Sequence, residues 1–291
     1  MLHITRFLIT LFLFTNIQST QSQDTYTSHS GQEHLLGIIQ IEQLEKEPFN
    51  DWYFSGYSLY KPDIDPRQYE SLSGMDVTIF LGTWCGDTKR LLPKFIKLWD
   101  LAGLPREQLR LVSLHSEGKE YKRSPDRIER QYEIHRVPTF IFEKNGMEIG
   151  RIVERPVTGL TTDLRQMAAG IPASPRYQGV SYLSDVLKGT NTLLQADSLS
   201  DIASRISRIT SGPGELNTFG YVLKAAGRLQ DAERVFKINT LLYPYEPNVY
   251  DSLAEFYLEN GDEECAKDYF KKVLLLKPND RRVNSIIEKL E

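Results

Sequence analysis

The feature that most constrains the fold of this chain is a repeat near its C-terminal end. Small, aromatic and proline residues recur 34 residues apart, in the pairs Gly220 and Ala254, Gly227 and Gly261, Ala232 and Ala266, Phe236 and Phe270, and Pro244 and Pro278. This period predicts stacked helical pairs, because small residues let two helices approach, an aromatic ring fills the next space, and a proline ends the second helix. Two unrelated helical hairpins are the alternative.

The spacing resembles that of tetratricopeptide (TPR) repeats, which are helix–turn–helix units of 34 residues. The resemblance implies an all-α, TPR-type domain over residues 181–291, with repeats at about 213–246 and 247–280. Two repeats are fewer than such arrays usually need, so the helices predicted at about 181–190, 198–209 and 280–290 are expected to cap the stack. Packing of the stack against the first domain or against a second copy is the alternative.

A groove between the first helices of the repeats is expected to dock a protein partner. The residues expected to line it include Asn217, Tyr221, Asp251 and Glu255. TPR grooves that hold the C-terminal carboxylate of a peptide do so with Lys and Arg, whereas acids face this groove. The acids therefore favour a polar or basic segment of a partner. The alternative is that this surface packs against the chain's own first domain.

Length and charge exclude several classes of function. A chain of 291 residues is long enough for two domains. Its net charge is −4 and it contains no basic block, so nucleic acid is not expected as a partner. The five histidines are scattered without the spacing of a zinc site, and no phosphate-binding loop is present. No metal or cofactor is therefore expected.

The first 22 residues have the pattern of a secretory signal peptide. His3 and Arg6 precede the apolar run from Phe7 to Phe14, and a polar stretch with small residues follows as far as Ser22. The apolar run is too short to span a bilayer. We therefore expect an exported chain with no transmembrane segment after cleavage. A buried N-terminal helix is the alternative.

Between these ends, the apolar patterns predict an α/β domain with a mixed sheet and helices on both faces. Residues 76–82 read as a buried central strand, and Asn145-Gly146 is a strong signal for a hairpin turn. The predicted order is β-α-β-α-β-β-α, with strands at 76–82, 109–114, 139–142 and 148–153 and helices at about 85–102, 126–133 and 158–169.

The segments that flank this domain differ in composition. Residues 23–73 are expected to begin with a polar, disordered stretch to residue 33 and to continue as helices whose aromatic side chains cover one side of the domain. The domain itself is placed at residues 74–170. Residues 171–180 contain Pro172 and Pro175 and are expected to form a linker.

The α/β segment resembles the thioredoxin superfamily over about residues 70–170. The tripeptide W-C-G at residues 84–86 follows a central strand, Pro93 lies eight residues after the cysteine, and residues 134–140 match the proline loop of that superfamily. The resemblance implies a thioredoxin-like fold with a cis peptide bond before Pro138 that faces the sulfur. It is closest to exported bacterial thioredoxin-like proteins with a W-C-G-D-[ST] loop, which implies the periplasm or cell envelope of a bacterium.

Cys85 is the predicted nucleophile. It precedes a helix, whose unpaired N–H groups and dipole favour the thiolate, the reactive form of the side chain. The hydroxyl of Thr88 and the ammonium of Lys89 are expected to add to this effect, whereas Asp87 opposes it if its carboxylate turns inward. An inert, buried thiol is the alternative.

Thr88 stands where dithiol thioredoxins carry a second, resolving cysteine, and Ile79 stands where they carry a buried carboxylate. A single thiol can form a mixed disulfide with a client, but release then requires an external thiol or another thiol of the client. This chemistry permits isomerisation, the reduction of a sulfenic acid or of a mixed disulfide, or covalent retention of a client, and it argues against efficient net reduction of protein disulfides. Cys265 lies in the second helix of a repeat, where packing is expected rather than resolution or a disulfide with Cys85.

The resemblance also implies a binding groove, in which an extended client segment pairs with the backbone beside the cis proline. His135 and Arg136 are expected to flank this loop in solvent and to touch the client. The predicted catalytic set is Cys85, Thr88 and Pro138, and the predicted substrate-binding residues are Trp84, Gly86, Asp87, Val137 and Thr139.

Two functions follow from these observations. The first is a monothiol thiol–disulfide oxidoreductase or isomerase, whose partners are client thiols and disulfides, an external thiol reductant, and a protein held in the TPR groove. The second is a non-enzymatic adaptor that uses both domains only to bind proteins.

Overall fold

The computed structural model describes residues 25–189 and 198–290. The predicted signal peptide lies outside the described residues. Within these ranges, buried apolar side chains form one core between the sheet and the helices of the N-terminal part, a smaller core on the other face of the sheet, and a third core among the C-terminal helices. No helix in these ranges combines the length and the apolarity that crossing a membrane requires.

The strands in the described ranges are β1 (Thr25–Thr27), β2 (Glu33–Leu35), β3 (Gly37–Ile39), β4 (Asp76–Leu81), β5 (Leu109–Ser113), β6 (Thr139–Lys144) and β7 (Met147–Val153). β1 and β2 form a separate antiparallel hairpin. The other strands form one mixed sheet in the order β3-β5-β4-β6-β7, in which β4 and β5 are parallel and the remaining pairs are antiparallel.

The α-helices in the described ranges are α1 (Ile41–Leu44), α2 (Asn50–Leu59), α3 (Gly86–Leu101), α4 (Leu160–Ala168), α5 (Gln178–Leu187), α6 (Leu199–Ile206), α7 (Pro213–Ala225), α8 (Leu229–Leu242), α9 (Pro247–Glu259), α10 (Glu263–Leu276) and α11 (Arg281–Leu290). Short 3-10 segments lie at Pro66–Gly74, Arg106–Gln108, Gly118–Glu120 and Ile128–Arg130. The predicted combination of a mixed sheet with helices and a following helical region is confirmed.

Two local predictions are wrong. The segment 126–133 contains only the 3-10 turn Ile128–Arg130 in place of the expected helix. Residues 25–33 are ordered in a hairpin, because Tyr26 stacks on His115 with ring centroids 3.9 Å apart and its hydroxyl accepts a hydrogen bond of 2.6 Å from the Ser116 amide. β3 was not predicted from the sequence, because a strand of three residues is too short to show an alternation of apolar and polar side chains.

The N-terminal extension covers one side of the sheet domain as predicted. α2 packs closely on α3, since a Cβ placed on Gly56 would lie 2.9 Å from the Pro93 ring. Tyr57 extends this contact by donating a hydrogen bond of 2.7 Å to Asp100. The extension therefore holds the helix that begins at Cys85 from its outer side.

The C-terminal helices repeat with the period of the sequence. α7 and α9 begin at Pro213 and Pro247, which are 34 residues apart. Gly220 in α7 lies under the ring of Phe236 in α8, where an added Cβ would be 2.6 Å from the nearest ring carbon. The small residue is thus required by the approach of the two helices.

Gly220→Ala is expected to destabilise the helical region, because its methyl group must displace the buried Phe236 ring. Gly214→Ala is the matched control, since it lies in the same helix with open space around its Cβ position. Gly214 lies in the first turn of α7 and Gly220 in its interior, so a gain in helix propensity cannot explain a lower stability of Gly220→Ala. We expect the free energy of unfolding of Gly220→Ala to be lower by about 1–3 kcal/mol relative to the control, measured by urea denaturation. Equal stabilities would contradict the close contact.

Candidate functional site

The loop that follows β4 is held by an aromatic contact. Gly82 lies against the indole of Trp84, and an added Cβ would be 2.5 Å from that ring. The indole N–H donates a hydrogen bond of 2.8 Å to the carbonyl of Leu114, which follows β5. Trp84 therefore fixes the loop between the ends of the two parallel strands and places the next residue at the start of α3.

Cys85 is the N-cap residue of α3 and is half-buried. Its N–H donates to the Gly82 carbonyl at 2.9 Å, and its carbonyl accepts from Lys89 N–H at 3.0 Å. Its Sγ lies 3.3 Å from the carbonyl oxygen of Val137, to which the thiol donates. The bond between Val137 and Pro138 is cis, which confirms the predicted geometry of this loop.

The side chains that follow Cys85 differ in their roles. Thr88 is fully buried, and its hydroxyl accepts from the Gly82 N–H at 3.4 Å. Asp87 forms an ion pair with Arg90 within the first turns of the helix, which engages its carboxylate. The charge of Lys89 affects His34. Burial, and to a smaller extent the Lys89 charge, lowers the pKa of the His34 imidazole.

Lys122 supplies a positive charge near the sulfur that the sequence analysis missed. Its ammonium donates a hydrogen bond of 2.9 Å to the His135 carbonyl, two residues before the carbonyl that contacts Sγ. Burial and the nearby Arg136 lower the pKa of Lys122, and the charge of Cys85 raises it, with a net value of about 8. Lys122 is 37 residues from Cys85 in sequence and lies in an irregular loop, so no local pattern identifies it.

An aromatic pair flanks the same loop. The rings of Trp84 and Tyr121 are tilted, with centroids 5.5 Å apart. Burial, followed by the charge of Cys85, raises the pKa of Tyr121, while the Tyr121 side chain is about half exposed (48%). The two rings thus form an apolar surface beside the thiol that is open to a ligand.

The predicted substrate-binding residues on the two sides of the cis bond present backbone rather than side chains. Val137 and Thr139 are buried, and the Thr139 hydroxyl donates to the Arg136 carbonyl at 2.8 Å. The Pro138 carbonyl accepts from Glu154 N–H at 2.7 Å. The Thr139 hydroxyl is thus engaged within the loop, and its backbone is the part left for binding. Gly86, by contrast, is exposed in the first turn of α3.

The expectation that His135 is solvated is wrong, and Arg136 is only partly exposed. His135 is 5% exposed and its ring packs edge-on against Tyr177 and Phe219. Burial and the charge of Arg136 lower the pKa of His135 to about 3, so the imidazole is neutral at physiological pH. Arg136 lies over the Tyr177 ring and donates to Thr218 Oγ1 at 2.9 Å and to the Gly214 carbonyl at 3.1 Å. Both side chains therefore contact the helical region.

A buried carboxylate reinforces this junction. Glu133 accepts from Arg228 at 2.6 Å and from Lys188 at 3.0 Å, and also from the Ser184 hydroxyl. Burial raises the pKa of Glu133, but the hydrogen bond from Ser184 and the charge of Lys188 outweigh it, so the net pKa is lowered. The proline loop is thus fixed to α5 and to the turn before α8.

The predicted groove of the helical region is partly filled by the chain itself. Arg282 of α11 forms an ion pair with Asp251 and another, at 3.1 Å, with Glu255. Tyr221 donates to Glu255 at 3.1 Å, and Asn217 is buried and accepts from Asn239 at 2.8 Å. Asp251 and Glu255 favour a basic segment of a partner, as expected from the sequence. Arg282 of the last helix already pairs with both carboxylates.

Cys265 lies in the first turn of α10, and both cysteines are free thiols. Its backbone N–H donates to the capping carboxylate of Asp262 at 3.0 Å. The hydrogen bond between the Cys265 thiol and Asp262 raises the pKa of that thiol. Cys265 thus lies in an acidic environment, which disfavours its thiolate.

Comparisons with protein-family models and with curated proteins find no match to this chain. The site is therefore interpreted from its own geometry.

Lys122→Met is expected to slow the alkylation of Cys85 by iodoacetamide at neutral pH, because it removes a positive charge that stabilises the thiolate. The expected loss is roughly three- to tenfold, which corresponds to about 0.7–1.4 kcal/mol. Lys119→Met, an exposed position in the same loop, is the matched control and should leave the rate unchanged. Equal rates for the two variants, measured by mass spectrometry of the Cys85 peptide, would exclude this role of Lys122.

Proposed function

We propose that this chain is a thioredoxin-like monothiol protein in which Cys85 forms mixed disulfides with client proteins. The observation that carries the proposal is the position of Cys85 Sγ. It lies at the N-terminus of α3, half exposed and 3.3 Å from the carbonyl before a cis proline. The helix after β4, the cis bond before β6 and the hairpin of β6 and β7 support a thioredoxin-like fold.

The first chemical step is thiol–disulfide exchange. The Cys85 thiolate attacks one sulfur of a client disulfide, the client S–S bond breaks, and a new S–S bond joins Cys85 to the client. The second client sulfur leaves as a thiolate and takes up a proton from solvent. The start of α3 and the ammonium of Lys122 support this step by stabilising the attacking thiolate.

The second step needs a thiol from outside the loop, because Thr88 occupies the position of a resolving cysteine. If another thiol of the client attacks the mixed disulfide, a different client disulfide forms and Cys85 is released without net oxidation or reduction. If two equivalents of a small external thiol act in succession, the client is reduced and the small thiol becomes a disulfide. The chain is thus suited to isomerisation or to reduction that consumes an external thiol.

The backbone near Cys85 supports binding of an extended client segment. Among the described residues, the Val137 carbonyl accepts a hydrogen bond from the Cys85 thiol alone, while the rings of Trp84 and Tyr121 lie beside the sulfur. A client strand that pairs with this backbone would bring its disulfide to Sγ. Trp84, Gly86 and the backbone of Val137 are therefore the groups proposed to contact the client.

The helical region is proposed to consist of TPR-type repeats that dock a protein partner. The helix bounds and the close contact of Gly220 with Phe236 support this assignment. A partner in the groove would have to replace Arg282, so a basic segment is favoured. The signal-like N-terminus supports export to the periplasm or cell envelope of a bacterium, where client disulfides are present.

Cys85→Ser is expected to abolish the recovery of activity from a disulfide-scrambled test protein in the presence of a small thiol. Cys265→Ser is the matched control and should retain the full rate, because Cys265 takes no part in the exchange. Both rates are measured against the uncatalysed reaction. A natural chain that gives no rate above the uncatalysed reaction, together with unchanged partner binding by Cys85→Ser, would favour a non-enzymatic adaptor.

A further inference from the structure

A cleft of about 740 Å³ lies at the junction of the sheet domain and the helical region. The sheet domain contributes Arg136 and Arg155, the connecting segment contributes Arg176, and Arg208 follows α6. This volume falls within the usual range for ligand sites, which also favour the boundary between two domains.

The cleft is strongly positive in a chain whose net charge is −4. Its lining holds four arginines and one acid, Glu215. That carboxylate is buried and accepts hydrogen bonds from Val180 N–H at 3.1 Å and Ser211 N–H at 2.6 Å, so it fixes the local backbone. A concave surface with charges of one sign attracts ligands of the opposite sign.

The arginines of the cleft are short of anionic partners. Within the described residues, Arg155 alone of the four has a carboxylate partner, Glu154 at 3.5 Å. Arg176 donates to the Pro156 carbonyl through Nε, and Arg136 donates to Thr218 and Gly214, so the exposed Arg176 and Arg208 provide most of the accessible donors. Guanidinium groups bind carboxylates and phosphates through paired hydrogen bonds. The cleft thus has donors available for a ligand with several anionic groups.

Two features favour a peptide over a small anion. Val157 and Ile209 line the same cleft and are 42% and 37% exposed, so apolar surface lies next to the guanidinium groups. A ligand with both acidic and apolar side chains would match this surface. Arg136, moreover, immediately precedes Val137, whose carbonyl contacts the Cys85 sulfur. The cleft and the thiol therefore lie on two sides of one short backbone segment.

We propose that this cleft binds an acidic segment of the client, one that carries apolar residues among its carboxylates, while Cys85 reacts with a neighbouring client disulfide. The inference rests on the proposed function for the identity of the ligand as a client. Binding itself needs no sulfur chemistry. Peptide binding is therefore tested in a full-length Cys85→Ser protein. An absence of binding in this variant contradicts the proposed cleft and leaves the proposed thiol chemistry untouched.

The probe is a short, cysteine-free peptide of alternating glutamates and leucines with an uncharged fluorophore, and binding is followed by fluorescence anisotropy. We expect saturable binding that weakens as salt rises, and no binding of the matched peptide with glutamine for glutamate. The double variant Arg176→Gln/Arg208→Gln should bind about tenfold more weakly, equivalent to about 1.4 kcal/mol. Arg130→Gln/Arg281→Gln removes the same charge from exposed positions outside the cleft and should bind normally.

Three outcomes would overturn the proposal. In the first outcome, the glutamate peptide does not bind. In the second, the two double variants lose affinity for the peptide equally, which would indicate attraction to the net charge of the protein alone. In the third outcome, citrate displaces the peptide and a serine-for-leucine peptide binds as well as the original, which would identify a small-anion site instead.

Discussion

The contact between the start of α3 and the segment His135–Pro138 is the interaction on which the rest of the structure depends. One side of this segment presents the Val137 carbonyl to Cys85 Sγ at 3.3 Å. The other side packs His135 and Arg136 against Tyr177, Thr218 and Phe219. The same short stretch of backbone therefore forms part of the thiol site and joins it to the helical region.

This arrangement also determines the charge near the thiol. His135 is held neutral by burial, with a pKa of about 3, so it adds no positive charge at physiological pH. Arg136 and Lys122 supply that charge instead, and burial together with the charge of Arg136 lowers the pKa of Lys122. An anion near the sulfur relieves this repulsion, whether it is the thiolate itself or a carboxylate of a bound client. The thiol site and the adjacent cleft thus favour ligands of the same sign.

Much of the fold follows from local patterns, because each of those elements is determined by its own residues. The apolar run of β4, the Asn145-Gly146 turn and the prolines that begin α7 and α9 all act over a few positions. The elements that were not predicted from the sequence are stabilised by residues that lie far away along the chain. β3 exists because it pairs with β5, and the hairpin of β1 and β2 is held by the stacking of Tyr26 on His115.

The same distinction applies to the site. Cys85, Thr88 and the cis bond before Pro138 lie in recognisable motifs, so their positions could be predicted. The burial of His135 and the role of Lys122 come from the packing of separate segments, which no spacing in the sequence encodes. The Thr139 hydroxyl closes a turn with the Arg136 carbonyl, a contact that its position beside the proline does not reveal.

The most direct test of the account is the lifetime of the mixed disulfide, followed by intact-protein mass spectrometry. The natural chain and the variant Thr88→Cys are each reacted with a peptide disulfide. Thr88 is a suitable position because it lies in the first turn of α3, three residues after Cys85, and is fully buried. We expect the natural chain to accumulate a mixed disulfide between Cys85 and the peptide, and this adduct should persist until a small thiol is added. In Thr88→Cys, the adduct should be replaced by an internal disulfide without added thiol. Failure of native Cys85 to form the adduct, or its spontaneous loss from the natural chain, would contradict a monothiol function.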